Sequence, residues 1–128
     1  MSPRGQTAFE FLFLVAVAFL ILIVFSASTR DEFLDAQSAK EYALVKDLAF
    51  SLQGEVNRAS TLEDGYRRTF KLENTLEGYA YNTSIRNSTL IVQSRDYEFA
   101  LTVYPVTGNF TNGTNTIRKT NGVVYLNQ

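Results

Sequence analysis

Residues 4–25, RGQTAFEFLFLVAVAFLILIVF, set the N-terminal part of this chain apart from the rest. Residues 11–25 are an unbroken apolar run, and Glu10 is the only ionisable side chain within residues 7–29. At a rise of about 1.5 Å per residue, residues 7–29 are long enough as a helix to cross the ~30 Å hydrocarbon core of a bilayer. Because such a helix is apolar on every side, it requires lipid or a packed protein interior around it.

The charges flanking this segment predict its orientation in a membrane. Arg4 and the α-amino group precede it, whereas three carboxylates follow it within residues 31–35. The positive-inside bias therefore places residues 1–5 in the cytoplasm and the rest of the chain outside. A cleaved secretory signal peptide ending near residues 25–28 (FSAS) is an alternative, although such peptides have shorter apolar cores, and here the helical pattern continues past that point.

Glu10 is the informative residue of the segment. A carboxylate inside an apolar span costs roughly 2.5 to 3.5 kcal/mol at the bilayer centre and less near an end. In one interpretation, Glu10 reaches back to headgroup water or stabilises the helix N-terminus through the macrodipole. In the other, it belongs to a processing and assembly motif together with its neighbours.

Four residues of the quoted segment have a characteristic spacing: Gly5, Gln6, Glu10 and Leu14. Preceded by a short basic leader, they resemble the class III signal peptide of archaeal type IV pilins. In that family a prepilin peptidase cuts after the Gly, and a Gln-x-Ser-x-Glu-x-x-x-Leu pattern begins the mature chain. Ala8 stands where the family usually has Ser, which is a change between two small residues. The resemblance is confined to the quoted segment.

The resemblance implies a leader of residues 1–5 that is removed by cleavage between Gly5 and Gln6. The new amine of Gln6 then pairs with Glu10, within one helix or between neighbouring helices of a filament. The residues implied in assembly are Gln6, Glu10, Phe11, Leu14 and Phe19.

The implied partners are copies of this chain in a helical filament, the prepilin peptidase, an assembly ATPase and a membrane platform protein. The chain is expected in the cytoplasmic membrane as a precursor and in an extracellular cell-surface filament once assembled.

The helical pattern continues beyond the apolar segment with a different character. Residues 6–29 form the hydrophobic part, and residues 30–60 are amphipathic, with apolar side chains recurring every three or four positions. The stripe consists of Leu44, Val45, Leu48, Ala49, Leu52, Val56 and Ala59. No proline lies between Pro3 and Pro105, so the sequence predicts one helix over residues 7–60.

Two places in this helix are open to interpretation. The Ser-Ala-Ser-Thr junction at residues 26–29 either bends the helix, because its hydroxyls compete for backbone carbonyls, or marks the membrane boundary. Gly54 costs about 1 kcal/mol relative to Ala in a helix, and it either weakens the helix locally or permits a strand to pass close.

Residues 61–128 are predicted to form a β-sheet head domain. The predicted strands are rich in Thr, Tyr, Val, Ile and Phe: 67–74, 79–86, 89–93, 97–106, 114–120 and 123–127. Asn121-Gly122 is the strongest hairpin signal. We expect a meander of four to six antiparallel strands whose apolar face packs on the stripe of the helix. The predicted fold class is therefore α+β, with one long N-terminal helix and a C-terminal antiparallel sheet domain wrapped on its distal part.

Four Asn-x-Ser/Thr sequons lie in the part of the chain predicted to be outside: Asn82, Asn87, Asn109 and Asn112. They are candidate sites of N-linked glycosylation. The alternative is ordinary turn chemistry, because Asn is common in loops.

Composition excludes several classes of function. The chain has 12 Lys and Arg, 13 Asp and Glu, a net charge of -1, and neither His nor Cys. Zinc, haem and thiol chemistry are therefore not expected, and no basic block indicates nucleic-acid binding. The carboxylate pairs Glu63/Asp64 and Asp96/Glu98 fit turn and strand-surface positions, so we expect neither an enzyme nor a cofactor.

Two hypotheses remain. The first is a structural subunit of an archaeal type IV pilus, which assembles through its hydrophobic helix into a filament for surface attachment or cell contact. The second is a single-pass membrane protein whose ectodomain binds a ligand or partner without polymerising. Cleavage after Gly5 together with filament formation distinguishes them, because only the first hypothesis requires both.

Overall fold

The computed structural model describes residues 3–128, with side chains from Gly5 onwards. Over this range the chain forms one α-helix, α1 (Pro3–Thr61), and eight strands. The strands are β1 (Arg67–Leu72), β2 (Thr75–Leu76), β3 (Tyr79–Arg86), β4 (Thr89–Ser94), β5 (Glu98–Thr102), β6 (Val106–Gly108), β7 (Gly113–Thr120) and β8 (Val123–Leu126). The predicted α+β class is confirmed.

The chain divides into two compact units, one ending at Ala39 and the other comprising Lys40–Gln128. The first unit is helical throughout its described residues. Its helix continues through the Ser-Ala-Ser-Thr junction, where the Thr29 hydroxyl donates a 2.9 Å hydrogen bond to the carbonyl oxygen of Phe25 one turn earlier. The hydroxyl is therefore satisfied within the helix.

The second unit is built around the amphipathic stripe of α1. Five stripe residues are at most 1% exposed: Val45, Ala49, Leu52, Val56 and Ala59. The strands contribute equally buried side chains to the same core, namely Leu90, Val92, Ile117, Val124 and Leu126. This confirms that the sheets pack on the distal helix. Gly54 has open space around it, so of the two interpretations the close approach of a strand is wrong.

The strands form two four-stranded sheets instead of the single meander that the sequence predicted. Their orders are β1-β7-β8-β6 and β2-β3-β4-β5. The second sheet is an antiparallel meander. In the first sheet β1 pairs with β7 across a long connection, and β6 pairs with β8 in parallel.

The predicted strand over residues 97–106 is wrong, because the chain leaves one sheet and enters the other within it. β5 ends at Thr102, and β6 begins after Pro105. Proline has no N–H to donate to a ladder, which favours a break there. The preceding N–H, that of Tyr104, instead donates to Oδ1 of Asn57 on α1 at 3.2 Å.

Hydrogen bonds from side chains attach both sheets to α1. Gln53 Nε2 donates to the carbonyl oxygen of Thr102 at 2.8 Å, at the end of β5. Lys119 Nζ of β7 donates to the carbonyl oxygens of Ser60 and Leu62 at 2.8 Å each. The two Lys119 bonds satisfy carbonyl oxygens at the C-terminal end of α1, where a helix leaves its last carbonyls without intrahelical partners.

Two tight turns account for the hairpins. Asn121 and Gly122 have φ angles of 51° and 76°, as a type I′ turn requires, which confirms the predicted hairpin between β7 and β8. Asn87 and Ser88 join β3 to β4 with φ angles of 49° and 62°. Asn tolerates this left-handed region better than most residues.

Candidate functional site

The apolar surface of α1 is the feature that demands a partner. With the exception of Val15, every large apolar side chain between Phe9 and Phe25 is exposed, at fractions between 41% and 70%. Soluble monomers rarely expose contiguous apolar surface on this scale. Among the described residues, one helix is long and apolar enough to cross a bilayer, and it is this one. Lipid or a packed protein interior is the environment that suits such a surface.

The structure brings three of the predicted assembly residues onto one face of this helix. Gln6, Glu10 and Leu14 follow one another at intervals of four residues. Gln6 Nε2 donates to Glu10 Oε1 at 3.4 Å, and both side chains are exposed. The carboxylate therefore already lies beside the residue at which the sequence predicts a new amine.

The two predicted aromatic assembly residues lie elsewhere on the helix. At about 100° per residue, Phe11 lies about 100° and Phe19 about 180° around the helix from Glu10. They are 70% and 61% exposed. These two aromatic side chains therefore do not share the face of Gln6, Glu10 and Leu14.

The predicted processing position lies within the first turns of α1. Gly5 and Gln6 are both helical and exposed. Met1 and Ser2 of the predicted leader lie outside the described residues.

The four predicted glycosylation residues are all exposed, and their surroundings differ. Asn82 lies in β3, where its Oδ1 accepts a hydrogen bond from the N–H of Thr83 at 3.0 Å. Asn87 occupies the tight turn between β3 and β4. Asn112 lies in the loop between β6 and β7, immediately before Gly113.

Unlike the other three sequon asparagines, Asn109 forms a side-chain hydrogen bond to a strand of the other sheet. Its Oδ1 accepts a 2.7 Å hydrogen bond from the N–H of Ile85 on β3, so it joins the two sheets. Its own carbonyl oxygen accepts from Asn127 Nδ2 at 2.9 Å. The middle residue of this sequon, Phe110, is 4% exposed and packs in the core. Asn109 is thus the one of the four acceptors whose side chain holds the two sheets together.

One carboxylate in each of the two pairs considered from the sequence has a partner within the described residues. Asp64 Oδ1 accepts from the N–H of Gly122 at 2.9 Å, beside the hairpin turn. Asp96 Oδ2 lies 3.6 Å from Arg95 Nε at the surface. Within the described residues, no group of three His, Cys, Asp or Glu side chains is placed to hold a metal ion.

A cleft of about 340 Å³ lies between α1 and the strands β1, β2 and β3. Its polar wall contains the ion pair between Glu55 Oε1 and Arg68 Nη1, at 3.2 Å. On the opposite wall the Tyr81 hydroxyl donates to the carbonyl oxygen of Glu73, and burial raises the pKa of that hydroxyl. The remaining lining is mainly leucine and phenylalanine. Among the described residues no hydrogen bond joins Ser51 to Glu55 in this lining, and we take the exposed helix as the candidate site.

No protein-family model, no curated protein and no solved structure matches this chain.

Proposed function

We propose that the chain is a structural subunit of an archaeal type IV pilus, serving surface attachment or cell contact. The observation that carries the proposal is the apolar surface between Phe9 and Phe25, which the chain leaves uncovered while it builds a complete core around the distal part of the same helix. A membrane covers such a surface before assembly, and the helices of other copies cover it afterwards.

Processing is the first step of the proposed sequence. Hydrolysis of the peptide bond between Gly5 and Gln6 by a prepilin peptidase removes the leader and leaves a charged amine at Gln6. Its side chain already contacts Glu10. In a dry filament core this carboxylate needs a partner, because an unpaired buried charge is costly. The new amine, from the same copy or a neighbour, meets that need and fixes the register of docking.

Assembly then moves the helix from lipid into the filament core. Little hydrophobic free energy is available for this transfer, because lipid tails are as apolar as the side chains they contact. The remaining free energy comes from packing between helices and from the Glu10 pair. External work by an assembly ATPase, acting through a membrane platform protein, drives the extraction. The sheet domain, with its sequons, remains outside as the coat of the extracellular filament.

Glu10 provides the sharpest test. Glu10→Ala is expected to be cleaved and inserted normally, yet to abolish filaments, because losing one partner of a buried pair costs ~3 to 5 kcal/mol, or roughly a hundredfold or more in the docking equilibrium. Glu98→Gln, at an exposed position of β5, is the matched control and should assemble like the wild type. Filaments sheared from cells are quantified by electron microscopy and immunoblotting.

If Glu10→Ala forms as many filaments as Glu98→Gln, Glu10 has no part in docking. If the wild-type chain stays in the membrane fraction without polymerising, the chain is a single-pass anchored ectodomain and the pilus proposal is wrong.

A further inference from the structure

A pair of arginines faces outward from the sheet β1-β7-β8-β6. Arg67 of β1 is the direct partner of Arg118 of β7, which in turn pairs with Tyr125 of β8. The neighbours of Arg118 along its strand, Ile117 and Lys119, point to the opposite face, where Ile117 is fully buried. The arginines therefore belong to the solvent face.

The backbone places the two arginines at a close cross-strand position. Lys119 N–H donates to the carbonyl oxygen of Tyr66 at 2.9 Å, whereas the Lys119 carbonyl oxygen accepts from the N–H of Gly65. The first of these bonds lies one residue beyond the Arg67–Arg118 pair, as it does beside a non-hydrogen-bonded pair, whose Cα atoms are about 4.5 Å apart rather than about 5.5 Å. Like charges placed in this way destabilise a sheet unless an opposite charge joins them.

Within the described part of the chain, neither arginine forms an ion pair. The Arg118 guanidinium lies 5.1 Å from the centre of the Tyr125 ring, and its Nε is buried without a hydrogen-bond acceptor. The outward positions of the four strands include no Asp or Glu. This face is thus cationic in a chain whose net charge is -1, and its strands supply no carboxylate to the arginines.

The same chain carries a matching arrangement of unpaired carboxylates. Asp31 and Asp35 are exposed on α1 and form no ion pair within the described residues. Residues four apart on a helix have Cβ atoms about 5–6 Å apart, and like charges at this spacing destabilise the helix. Directly opposite residues on paired strands have Cβ atoms about 4.5–5.5 Å apart. The aspartate pair and the arginine pair therefore have opposite charge and nearly equal distances between their Cβ atoms.

We propose that the Arg67–Arg118 face of one copy binds the Asp31–Asp35 turn of a second copy. Each guanidinium pairs with one carboxylate, and the stacking of Arg118 on Tyr125 holds it in place for a charge-assisted hydrogen bond. The contact relieves both like-charge repulsions at once and sets the position of a head domain against a neighbour's helix. It rests on the proposed polymerisation of the chain.

Charge exchange in filaments produced by cells tests this contact. Arg67→Glu with Arg118→Glu is expected to lower the filament yield by at least about tenfold, because like charges across an interface are strongly unfavourable. Adding Asp31→Arg and Asp35→Arg to the same chain should restore it. Arg86→Glu, at an exposed arginine of the other sheet, is the matched control and should leave the yield unchanged.

Disulfide crosslinking gives a second measurement that does not depend on reversed charges. The chain has no cysteine, so Asp31→Cys combined with Arg118→Cys introduces one pair. Oxidised filaments should give a ladder of linked subunits that neither single variant gives. Normal yield from the Arg67→Glu/Arg118→Glu variant, or filaments of the double-cysteine variant without a ladder, overturns the contact and leaves the pilus proposal intact. Absence of filaments from the wild-type chain overturns the proposed function instead.

Discussion

Asn127 Nδ2 donates a 2.8 Å hydrogen bond to Oδ1 of Asn115, a side chain with no exposed surface. Asn115 Nδ2 in turn donates to the carbonyl oxygens of Thr111 and Gly113, at 2.6 and 3.0 Å. Asn115 Oδ1 also accepts from the N–H of Thr111 at 2.8 Å. Two carboxamides therefore join the end of the chain to the loop that enters β7.

Replacing Asn115 should destabilise the head domain. Asn115→Ala removes the four hydrogen bonds of this buried side chain, and the loss of the hydrogen bonds of a buried group costs about 1–3 kcal/mol. We expect a loss of that order in the free energy of unfolding, measured by urea denaturation of the full chain in detergent. Asn74→Ala, at an exposed position after β1, should change the value by less than about 0.5 kcal/mol. Equal stability of the two variants would show that the Asn115 bonds contribute nothing.

Truncation of two large apolar residues of α1 should change the free energy of unfolding by very different amounts. Leu52 is 1% exposed in the core, so Leu52→Ala should cost about 2–5 kcal/mol. Phe50 is 50% exposed on the same stretch of helix, and Phe50→Ala should lie within about 0.5 kcal/mol of the wild type. The same denaturation measurement compares them. A larger loss at Phe50 than at Leu52 would contradict the packing described for the head domain.

Alkaline pH should weaken the head domain through Tyr81. Burial, with a smaller contribution from the carboxylate of Glu73, raises the pKa of Tyr81 above its ordinary value of 10.0. The unfolded chain therefore loses this proton first, so the stability is constant below that value and falls as the pH rises through the folded-state pKa. Tyr81→Phe should reduce the fall, whereas Tyr104→Phe, at an exposed position, should not. Unfolding curves across the alkaline range test this, and identical slopes for the two variants would refute it.

Glycosylation should discriminate among the sequons. Asn112→Gln is expected to remove the mass of one glycan, because its side chain is exposed beside Gly113. Asn109→Gln should leave the glycan mass unchanged and instead lower stability by about 1 kcal/mol, because Asn109 Oδ1 binds the N–H of Ile85. Intact mass and denaturation of the purified variants separate the two effects. A glycan attached at Asn109 would contradict this assignment.

Local patterns in the sequence predicted the parts of the fold that local physics determines. The three-and-four spacing from Val45 to Ala59 is set within one helix, and the Asn121-Gly122 turn needs only its own two residues. The division into two sheets was missed, because it depends on the break at Pro105 and on pairing between distant segments such as β1 and β7.

The same distinction between local and distant contacts applies to the candidate sites. Gln6 and Glu10 are neighbours on one helix, so their contact was predictable from spacing. Arg67 and Arg118 are far apart in sequence, and only the register of β1 with β7 brings them together. The hydrogen bond between Asn127 and Asn115 was equally unpredictable, because no short motif indicates that Asn115 is buried or that Asn127 lies beside it.

N-terminal sequencing and intact mass of material sheared from the cell surface test the proposed pilin processing most directly. A processed and glycosylated subunit begins at Gln6 and is heavier than residues 6–128 alone. A chain that begins at Met1 and occurs only in the membrane fraction would contradict this processing.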